Sequence, residues 1–321
     1  MNVKQQITSA GITFTLAISV GYSDNIKPFE QCLIQQINLS TEIQTIAELK
    51  AICKKLAPTR TITAPSQQRN KSTLLMAFKP NYILPTTYNS LGYDASIYSQ
   101  QFDNPTLNLN DYEAHFQTSI KLPLSKNLFN HNLEYFAAYT NRSFWQVYND
   151  SISAPFRETN HEPELWIQRN VTLAHASFNT STQILGISHQ SNGRGGLLSR
   201  SWNRVYVQLS LERQTLSLAL KTWIRINEKS KDDDNPDITN YLGHGEFHVN
   251  IKSDDHVFSV MSRNNLESGF TKGAVEFGWS FPVGKRNDLK GYIQVFSGYG
   301  ESLISYNNRV KRIGIGVIIS N

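Results

Sequence analysis

The clearest sign of the fold class is the stretch Ala274-Val-Glu-Phe-Gly-Trp-Ser-Phe281. Large apolar side chains occupy every second position of it, at Val275, Phe277, Trp279 and Phe281. The positions between them hold small or polar residues, namely Ala274, Glu276, Gly278 and Ser280. Because successive side chains of a strand point to opposite faces, this alternation predicts a β-strand with one apolar face and one polar face.

The same alternation recurs elsewhere in the chain. Val205, Val207, Leu209 and Leu211 alternate with Tyr206, Gln208 and Ser210, and Ile313, Ile315, Val317 and Ile319 alternate with Gly314 and Gly316. A water-soluble β-sandwich would share this pattern. The polar faces here are rich in Gly, Ser, Gln and Glu, which suit the lumen of a membrane barrel, and large aromatic residues near strand ends suit its interfacial girdles.

The length of the chain fits a barrel of twelve strands. Residues 73–321 number 321 − 72 = 249, or about 21 residues for each strand and its connection, where a spanning strand needs about 9–11. We therefore predict an all-β fold, a twelve-stranded antiparallel transmembrane β-barrel over residues 73–321, with a soluble β-protein as the alternative. A helical membrane protein is excluded, because the sequence has no window of about 20 apolar residues.

The N-terminal part of the chain differs in character. Lys4 and the apolar run 10–21 predict an export signal over residues 1–23. Residues 24–72 are predicted to form a short periplasmic segment that ends in a Pro-containing linker. In an oxidising compartment Cys32 and Cys53 are expected to form a disulfide, and two free thiols are the alternative.

The net charge of 31 − 26 = +5 does not indicate a nucleic-acid partner. Residues 1–72 hold eight Lys/Arg and four Asp/Glu, so they carry +4 of this charge and the remaining 249 residues carry +1. No basic stripe interleaved with aromatic residues follows. The sequence therefore predicts no binding of nucleic acid.

One hairpin carries residues that could perform catalysis. His189 and Ser191 continue the apolar face of one strand, and Asn203 continues that of the next strand. On a barrel this face meets lipid, where an unpaired polar group is costly, so mutual hydrogen bonding is expected. The imidazole could take the proton of the Ser191 hydroxyl, and the amide could hold the other ring nitrogen. The alternative is a polar strand end at the level of the lipid headgroups.

The residues around this hairpin resemble a known family. His189-Gln-Ser-Asn-Gly-Arg194, followed by Ser199-Arg-Ser-Trp-Asn203, closely resembles the active-site segment of the outer-membrane phospholipase A family. Three further blocks resemble the same family in the same order: Ser153-Ala-Pro-Phe-Arg-Glu-Thr-Asn160, Asp233-Asp-Asn-Pro-Asp-Ile-Thr239 and Phe296-Ser-Gly-Tyr-Gly-Glu-Ser-Leu-Ile304. The resemblance covers residues 75–321. Four blocks in order are far more specific than any one of them.

The resemblance implies a bacterial outer-membrane phospholipase whose active site lies on the lipid-facing wall, near the outer leaflet. Ser191 matches the nucleophile, His189 the general base and Asn203 the residue that orients the imidazole. Gly193 matches the residue whose backbone N–H helps to bind the oxyanion. Members of the family hydrolyse the sn-1 and sn-2 acyl esters of glycerophospholipids, and lysophospholipids, with calcium and as homodimers.

The resemblance also implies one calcium ion per active site, shared across the dimer interface. Arg194 matches a ligand through its carbonyl and Ser199 through its hydroxyl. Ser153 matches a ligand that the partner subunit contributes through its carbonyl. Such hard oxygen ligands suit calcium.

Several positions depart from the family pattern. Asn141 stands where the family has Gln, and Gly196 where the family can have an acidic residue for a second calcium site. The acidic counterpart Asp234 is present, although the run 232–234 alone predicts a solvated turn. The pair His161-Glu162 lacks the second His of a zinc motif and precedes a proline, so a loop is predicted there. A non-catalytic pore or structural barrel is the alternative function.

Overall fold

The computed structural model describes residues 75–126, 133–173, 178–284, 286 and 288–319. The predicted export signal, the periplasmic segment 24–72 and the disulfide between Cys32 and Cys53 lie outside the described residues and stay predictions. In the part of the chain that is described, no helix is long and apolar enough to cross a membrane.

The regular secondary structure of the described chain is almost entirely β-strand. The twelve long strands are β1 Tyr82–Asn89, β2 Tyr112–Lys126, β3 Glu134–Trp145, β4 Phe156–Thr172, β5 Thr180–Ser191, β6 Ser201–Arg213, β7 Leu216–Ile226, β8 Gly245–Ser253, β9 His256–Arg263, β10 Ala274–Pro282, β11 Leu289–Gly298 and β12 Val310–Ile319. The helices are α1 Ser96–Gln101 and α2 Ile238–Leu242, with 3-10 turns at Asp150–Ile152 and Gly196–Leu198. A two-residue strand, Met76–Ala77, precedes β1 and pairs with β2.

The twelve strands close into a barrel. Each strand pairs antiparallel with its neighbours in the chain, and β12 pairs with β1, where Ile313 lies opposite Tyr88. Closure leaves neither edge of the sheet unpaired, as a membrane barrel requires. The predicted twelve-stranded antiparallel barrel is confirmed.

Alternation along each strand separates an apolar outer wall from a filled lumen. Val205 and Val207 of β6 are exposed, while Trp202 and Tyr206 on the opposite face of the same strand are buried. Tyr206 packs across Gly186 of β5, where a Cβ atom would lie 2.5 Å from the tyrosine ring. The predicted apolar face therefore points outward, and small residues on the inner face make room for large ones.

Ion pairs cross the lumen between strands that are distant in sequence. The Glu162 carboxylate of β4 forms ion pairs with Lys79 at 2.7 Å and with Arg204 at 2.7 Å. Glu164, also of β4, accepts Lys79 at 2.8 Å and Lys221 at 3.0 Å. The Arg204 guanidinium also lies 4.2 Å from the centroid of the Trp202 ring. These paired charges and aromatic rings occupy the centre of the barrel.

The connections are long at one end of the barrel and short at the other. Two-residue turns, 214–215 and 254–255, follow β6 and β8. The opposite end carries the longer connections 90–111, 146–155, 192–200, 227–244, 264–273 and 299–309. In outer-membrane barrels the long loops face the cell exterior and the short turns face the periplasm.

Candidate active site

The predicted catalytic residues lie on the β5–β6 hairpin, on the outer wall of the barrel. Leu185 and Ile187 of β5 are exposed on this wall, and His189 and Ser191 occupy the next two positions of the same face. The Cα partner of His189 on β6 is Asn203. The strand register therefore brings the three polar residues together at the long-loop end of the barrel.

Two hydrogen bonds in series orient the imidazole. His189 Nδ1 lies 2.8 Å from Oδ1 of Asn203, and Asn203 Nδ2 donates a hydrogen bond of 3.0 Å to Oε1 of Glu228. Because the carboxylate engages the amide nitrogen, the amide oxygen is the atom that faces His189. Nδ1 of His189 then carries the ring proton, and Nε2 is the nitrogen that can accept another.

Glu228 is a contact of the site that sequence reasoning missed. It lies in the connection after β7, two positions beyond Ile226, and Ile226 is the Cα partner of Asn203. The spacing of two was an available signal, because Ile226 is exposed on the outer wall and residue 228 follows it with the same parity.

His161 lies beside the predicted nucleophile, and the loop predicted for His161-Glu162 is wrong. Both residues belong to β4, and His161 is the Cα partner of Ser191. Pro163 removes one ladder hydrogen bond, but the strand continues beyond it. Nδ1 of His161 lies 2.6 Å from the hydroxyl of Tyr139 on β3. The outer wall next to Ser191 therefore carries a second imidazole.

The loop between β5 and β6 is held by a buried asparagine. Asn192 Nδ2 donates to the carbonyl of Leu198 at 2.7 Å, and its Oδ1 accepts the backbone N–H groups of Arg194 at 3.3 Å and Arg200 at 3.0 Å. Between these contacts Gly193 has a φ of +63°, which glycine adopts without strain. A Cβ atom at Gly193 would lie 3.8 Å from the His161 ring, so this glycine is close to Ser191's cross-strand neighbour.

Two of the three predicted calcium ligands lie in this same loop. The Arg194 side chain turns toward β4, where its Nη2 donates to the carbonyl of Phe156 at 2.8 Å. The Ser199 hydroxyl donates to Oδ2 of Asp234 at 2.5 Å. Oxygen atoms of a carbonyl, a hydroxyl and a carboxylate are the ligands that calcium prefers. The residues present therefore fit a calcium ion.

No cluster of three His, Cys, Asp or Glu side chains suited to a metal occurs within the described ranges. A calcium site on this chain would therefore use backbone and hydroxyl oxygens as well as Asp234. Gly196 contributes no side chain, and a Cβ atom there would lie 2.8 Å from Oε1 of Gln101. Gln101 thus occupies the space into which an acidic residue at 196 would have to project.

The connection that carries Asp234 is anchored on both sides of that residue. Asp233 forms an ion pair of 2.6 Å with Arg225 of β7. The hydroxyl of Tyr306 donates to a carboxylate oxygen of Asp237. Burial of Tyr306, together with this hydrogen bond, raises the pKa of the phenol, so the hydroxyl stays a donor. The run 232–234 lies in a turn, as predicted, but the carboxylates of Asp233 and Asp234 within it are partnered.

The third predicted calcium ligand lies apart from the others. Ser153 is exposed and follows the 3-10 turn Asp150–Ile152 with a φ of +60°. Its side chain has no hydrogen bond with Arg194 or Ser199 in the described part of the chain. Asn141, at the predicted dimer position, lies on β3 as the Cα partner of His161. Both residues are on or near the outer surface that carries Ser191.

The protein is a closed barrel with an apolar outer wall, and a serine, a histidine and an asparagine lie together on that wall. These features define its class: an outer-membrane barrel with a candidate hydrolase site that faces lipid. Residues 59–319 match the family model for phospholipase A1, and the chain belongs to this family.

Individual relatives match over most of the chain. The phospholipase A1 of Salmonella typhimurium strain LT2 is 36% identical over 256 residues, which cover 79% of this chain and 84% of the relative. The phospholipase A1 of Escherichia coli strain K12 is 34% identical over 255 residues, again 79% and 84% of the two chains.

Solved structures agree with the sequence comparison. A crystal structure of the Salmonella typhi outer membrane phospholipase dimer with bound calcium superposes with a TM-score of 0.70 at 35% identity, covering 79% of this chain and 95% of that one. Outer membrane phospholipase A from Escherichia coli gives 0.69 at 34% identity, covering 77% and 98%. The predicted family, the barrel fold and the outer-membrane location are confirmed.

Proposed function

We propose that this protein is a calcium-dependent phospholipase that hydrolyses the sn-1 and sn-2 acyl esters of glycerophospholipids and lysophospholipids. The observation that carries the proposal is the hydrogen bond of 2.8 Å between His189 Nδ1 and Asn203 Oδ1, on a strand face where the exposed apolar residues Leu185 and Ile187 precede His189. A polar group on such a face is costly unless it is paired. A histidine with one oriented nitrogen, two residues from a serine on the same face, suits nucleophilic catalysis.

In the first step Ser191 Oγ attacks the ester carbonyl while its proton passes to Nε2 of His189. The resulting imidazolium keeps its Nδ1–H donated to Asn203 Oδ1, an acceptor that the amide dipole supplies without a buried charge. The carbonyl oxygen becomes an oxyanion, and the backbone N–H of Gly193 is the proposed donor to it. A positive φ at Gly193 fits this role, because the loop can turn its N–H toward the strand end.

The intermediate then loses the lysophospholipid. The bond from the acyl carbon to the glycerol oxygen breaks, and His189 Nε2 returns its proton to that oxygen. Water repeats the sequence on the acyl-serine: His189 takes a proton from water, the hydroxide attacks, and Ser191 leaves with the proton that His189 gives back. A diacyl phospholipid gives one fatty acid and one lysophospholipid, and a lysophospholipid gives one fatty acid and the deacylated glycerophosphodiester.

Calcium, when bound, would stabilise the oxyanion as a Lewis acid and by orienting water. Arg194, through its carbonyl, and Ser199, through its hydroxyl, are the proposed ligands on one subunit, with the partner subunit's Ser153 on the other. The proposal is supported by the calcium bound to the Salmonella typhi dimer and by the oxygen donors described above. An ion with ligands from two chains makes the homodimer the proposed active form.

The test is release of fatty acid from detergent-dispersed phosphatidylcholine by the purified protein. We expect hydrolysis with millimolar calcium and none with excess chelator. Substrates labelled in either the sn-1 or the sn-2 acyl chain should show that both esters are cleaved. Ser191→Ala serves as the control for contaminating lipase. If wild type and Ser191→Ala release fatty acid equally, or neither does, the proposal fails.

The second candidate, a pore, predicts ion conductance across planar bilayers. The lumen argues against it, because the buried ion pairs of Glu162 with Arg204 and of Glu164 with Lys221 lie inside the barrel, in the path that ions would take. We expect no single-channel steps from the protein under conditions in which it hydrolyses lipid.

A further inference from the structure

We propose that Glu228 is a positioning residue of the active site, which acts by fixing the amide of Asn203. This inference rests on the proposed function of Ser191 and His189. Its starting point is the hydrogen bond of 3.0 Å from Asn203 Nδ2 to Oε1 of Glu228, which extends the hydrogen-bonded pair of His189 and Asn203 by a carboxylate.

The fold brings Glu228 to this place through the register of β6 and β7. Asn203 and Ile226 are Cα partners in the antiparallel pair. Ile226 is the last residue of β7, and the chain leaves the strand there. Glu228 follows two positions later and is half-buried against the end of the hairpin. Across the described ranges Glu228 forms no ion pair, so its carboxylate is free to accept from Asn203.

The first consequence concerns the orientation of the amide. An asparagine side chain can turn by about 180°, which exchanges its oxygen and its NH₂ group. In the wrong orientation two donors, Nδ2–H of Asn203 and Nδ1–H of His189, would face each other. A carboxylate can only accept, so Glu228 favours the orientation in which Nδ2 faces it and Oδ1 faces the imidazole. Glu228 thus selects the amide orientation, and Asn203 selects the tautomer of His189.

The second consequence concerns charge. A hydrogen bond to a carboxylate is stronger than one between neutral groups, and bonds in series polarise one another. Donation from Nδ2 to Glu228 draws electron density toward Oδ1 of Asn203, which becomes a better acceptor for the imidazolium that forms when Ser191 attacks. The negative charge itself stays in the connection after β7, outside the lipid-facing strand, where its desolvation costs less.

The experiment is a double-mutant cycle on turnover of detergent-dispersed phosphatidylcholine at saturating calcium. We expect Glu228→Ala to lower kcat about tenfold with little change in KM, equivalent to about 1.4 kcal/mol. Glu228→Gln keeps an acceptor oxygen without the charge and should recover part of the loss. In an Asn203→Ala background Glu228→Ala should cost nothing further, because its effect passes through the amide. Lys229→Ala, an exposed neighbour in the same connection, is the matched control.

The outcomes separate this inference from the proposed function. If wild type is active and Ser191→Ala is not, but Glu228→Ala turns over like Lys229→Ala, the positioning role is overturned and the phospholipase stands. An additive loss in the Asn203→Ala background would also overturn it. Such a loss would mean that Glu228 affects turnover without acting through Asn203, for example by holding the connection between β7 and β8. Inactive wild type would instead reject the proposed function. If Glu228→Ala does not fold, Glu228→Gln carries the same comparison.

Discussion

The hydroxyl of Ser199 donates a hydrogen bond of 2.5 Å to Oδ2 of Asp234. This contact joins the connection between β5 and β6 to the connection between β7 and β8. The strands β6 and β7 separate these two segments in the chain. It places an anionic carboxylate beside Ser199, one of the proposed calcium ligands. Asp234, which the sequence pattern related only to a second calcium site, would therefore be the charged component of the proposed site.

Asp234→Asn tests whether this carboxylate contributes to calcium binding. The amide keeps the shape of the side chain but removes its charge, so we expect the calcium concentration for half-maximal hydrolysis to rise about tenfold. Activity at saturating calcium should remain close to that of wild type. Asp232→Asn, which changes an exposed carboxylate in the same turn, should leave the calcium dependence unaltered. The same curve for all three proteins would exclude Asp234 from the site.

Calcium and dimerisation are expected to be linked. An ion that takes ligands from Arg194 and Ser199 of one subunit and from the partner subunit's Ser153 binds the dimer better than the monomer. Analytical ultracentrifugation in detergent should show a dimer with calcium and a monomer with chelator. A monomer with full activity, or a dimer that forms equally well with and without calcium, would show that this protein does not share a calcium ion between subunits.

Substitutions of the two proposed partners of His189, Ser191 and Asn203, should lower kcat by different amounts. Ser191→Ala removes the nucleophile and can cost about 10⁶ in kcat. Asn203→Ala only frees the imidazole to adopt another orientation or tautomer, so we expect a loss of about 10²–10⁴. Both variants should still fold, which is checked by the difference in migration between unheated and boiled samples on SDS gel electrophoresis. Comparable losses in the two variants would contradict the assigned roles.

The ion pairs of the lumen should contribute to stability and not to catalysis. Glu164→Ala removes the partner of Lys221 at 3.0 Å, and an unpaired buried charge typically costs about 3–5 kcal/mol. Urea unfolding in lipid vesicles, followed by tryptophan fluorescence, should show the loss. Glu212→Ala, at an exposed position near the periplasmic end of β6, is the control and should change the unfolding free energy by less than about 0.5 kcal/mol. An unchanged midpoint for Glu164→Ala would mean that water already solvates Lys221.

The barrel and the place of the site could be predicted because both depend on local patterns. Alternation such as that of Val205, Val207 and Leu209 has a period of two, which only a strand satisfies. The same period placed His189 and Ser191 on the outer face. The hairpin that joins the two strands then made Asn203 a neighbour of His189, since a hairpin loop limits the registers that two successive strands can adopt. Pattern and connectivity together were enough to bring the three residues to one face, whereas their proposed catalytic roles came from the resemblance to the family.

The contacts that complete the site depend on pairings that no local pattern encodes. His161 meets Ser191 because β4 and β5 pair in one particular register, and its neighbouring proline pointed to a loop instead. Glu228 and Asp234 reach Asn203 and Ser199 from a long connection whose path is set by its anchors on β7 and on Tyr306. Closing such contacts requires the whole barrel to be assembled, because each joins segments whose distance apart is fixed only when the ring of strands is complete.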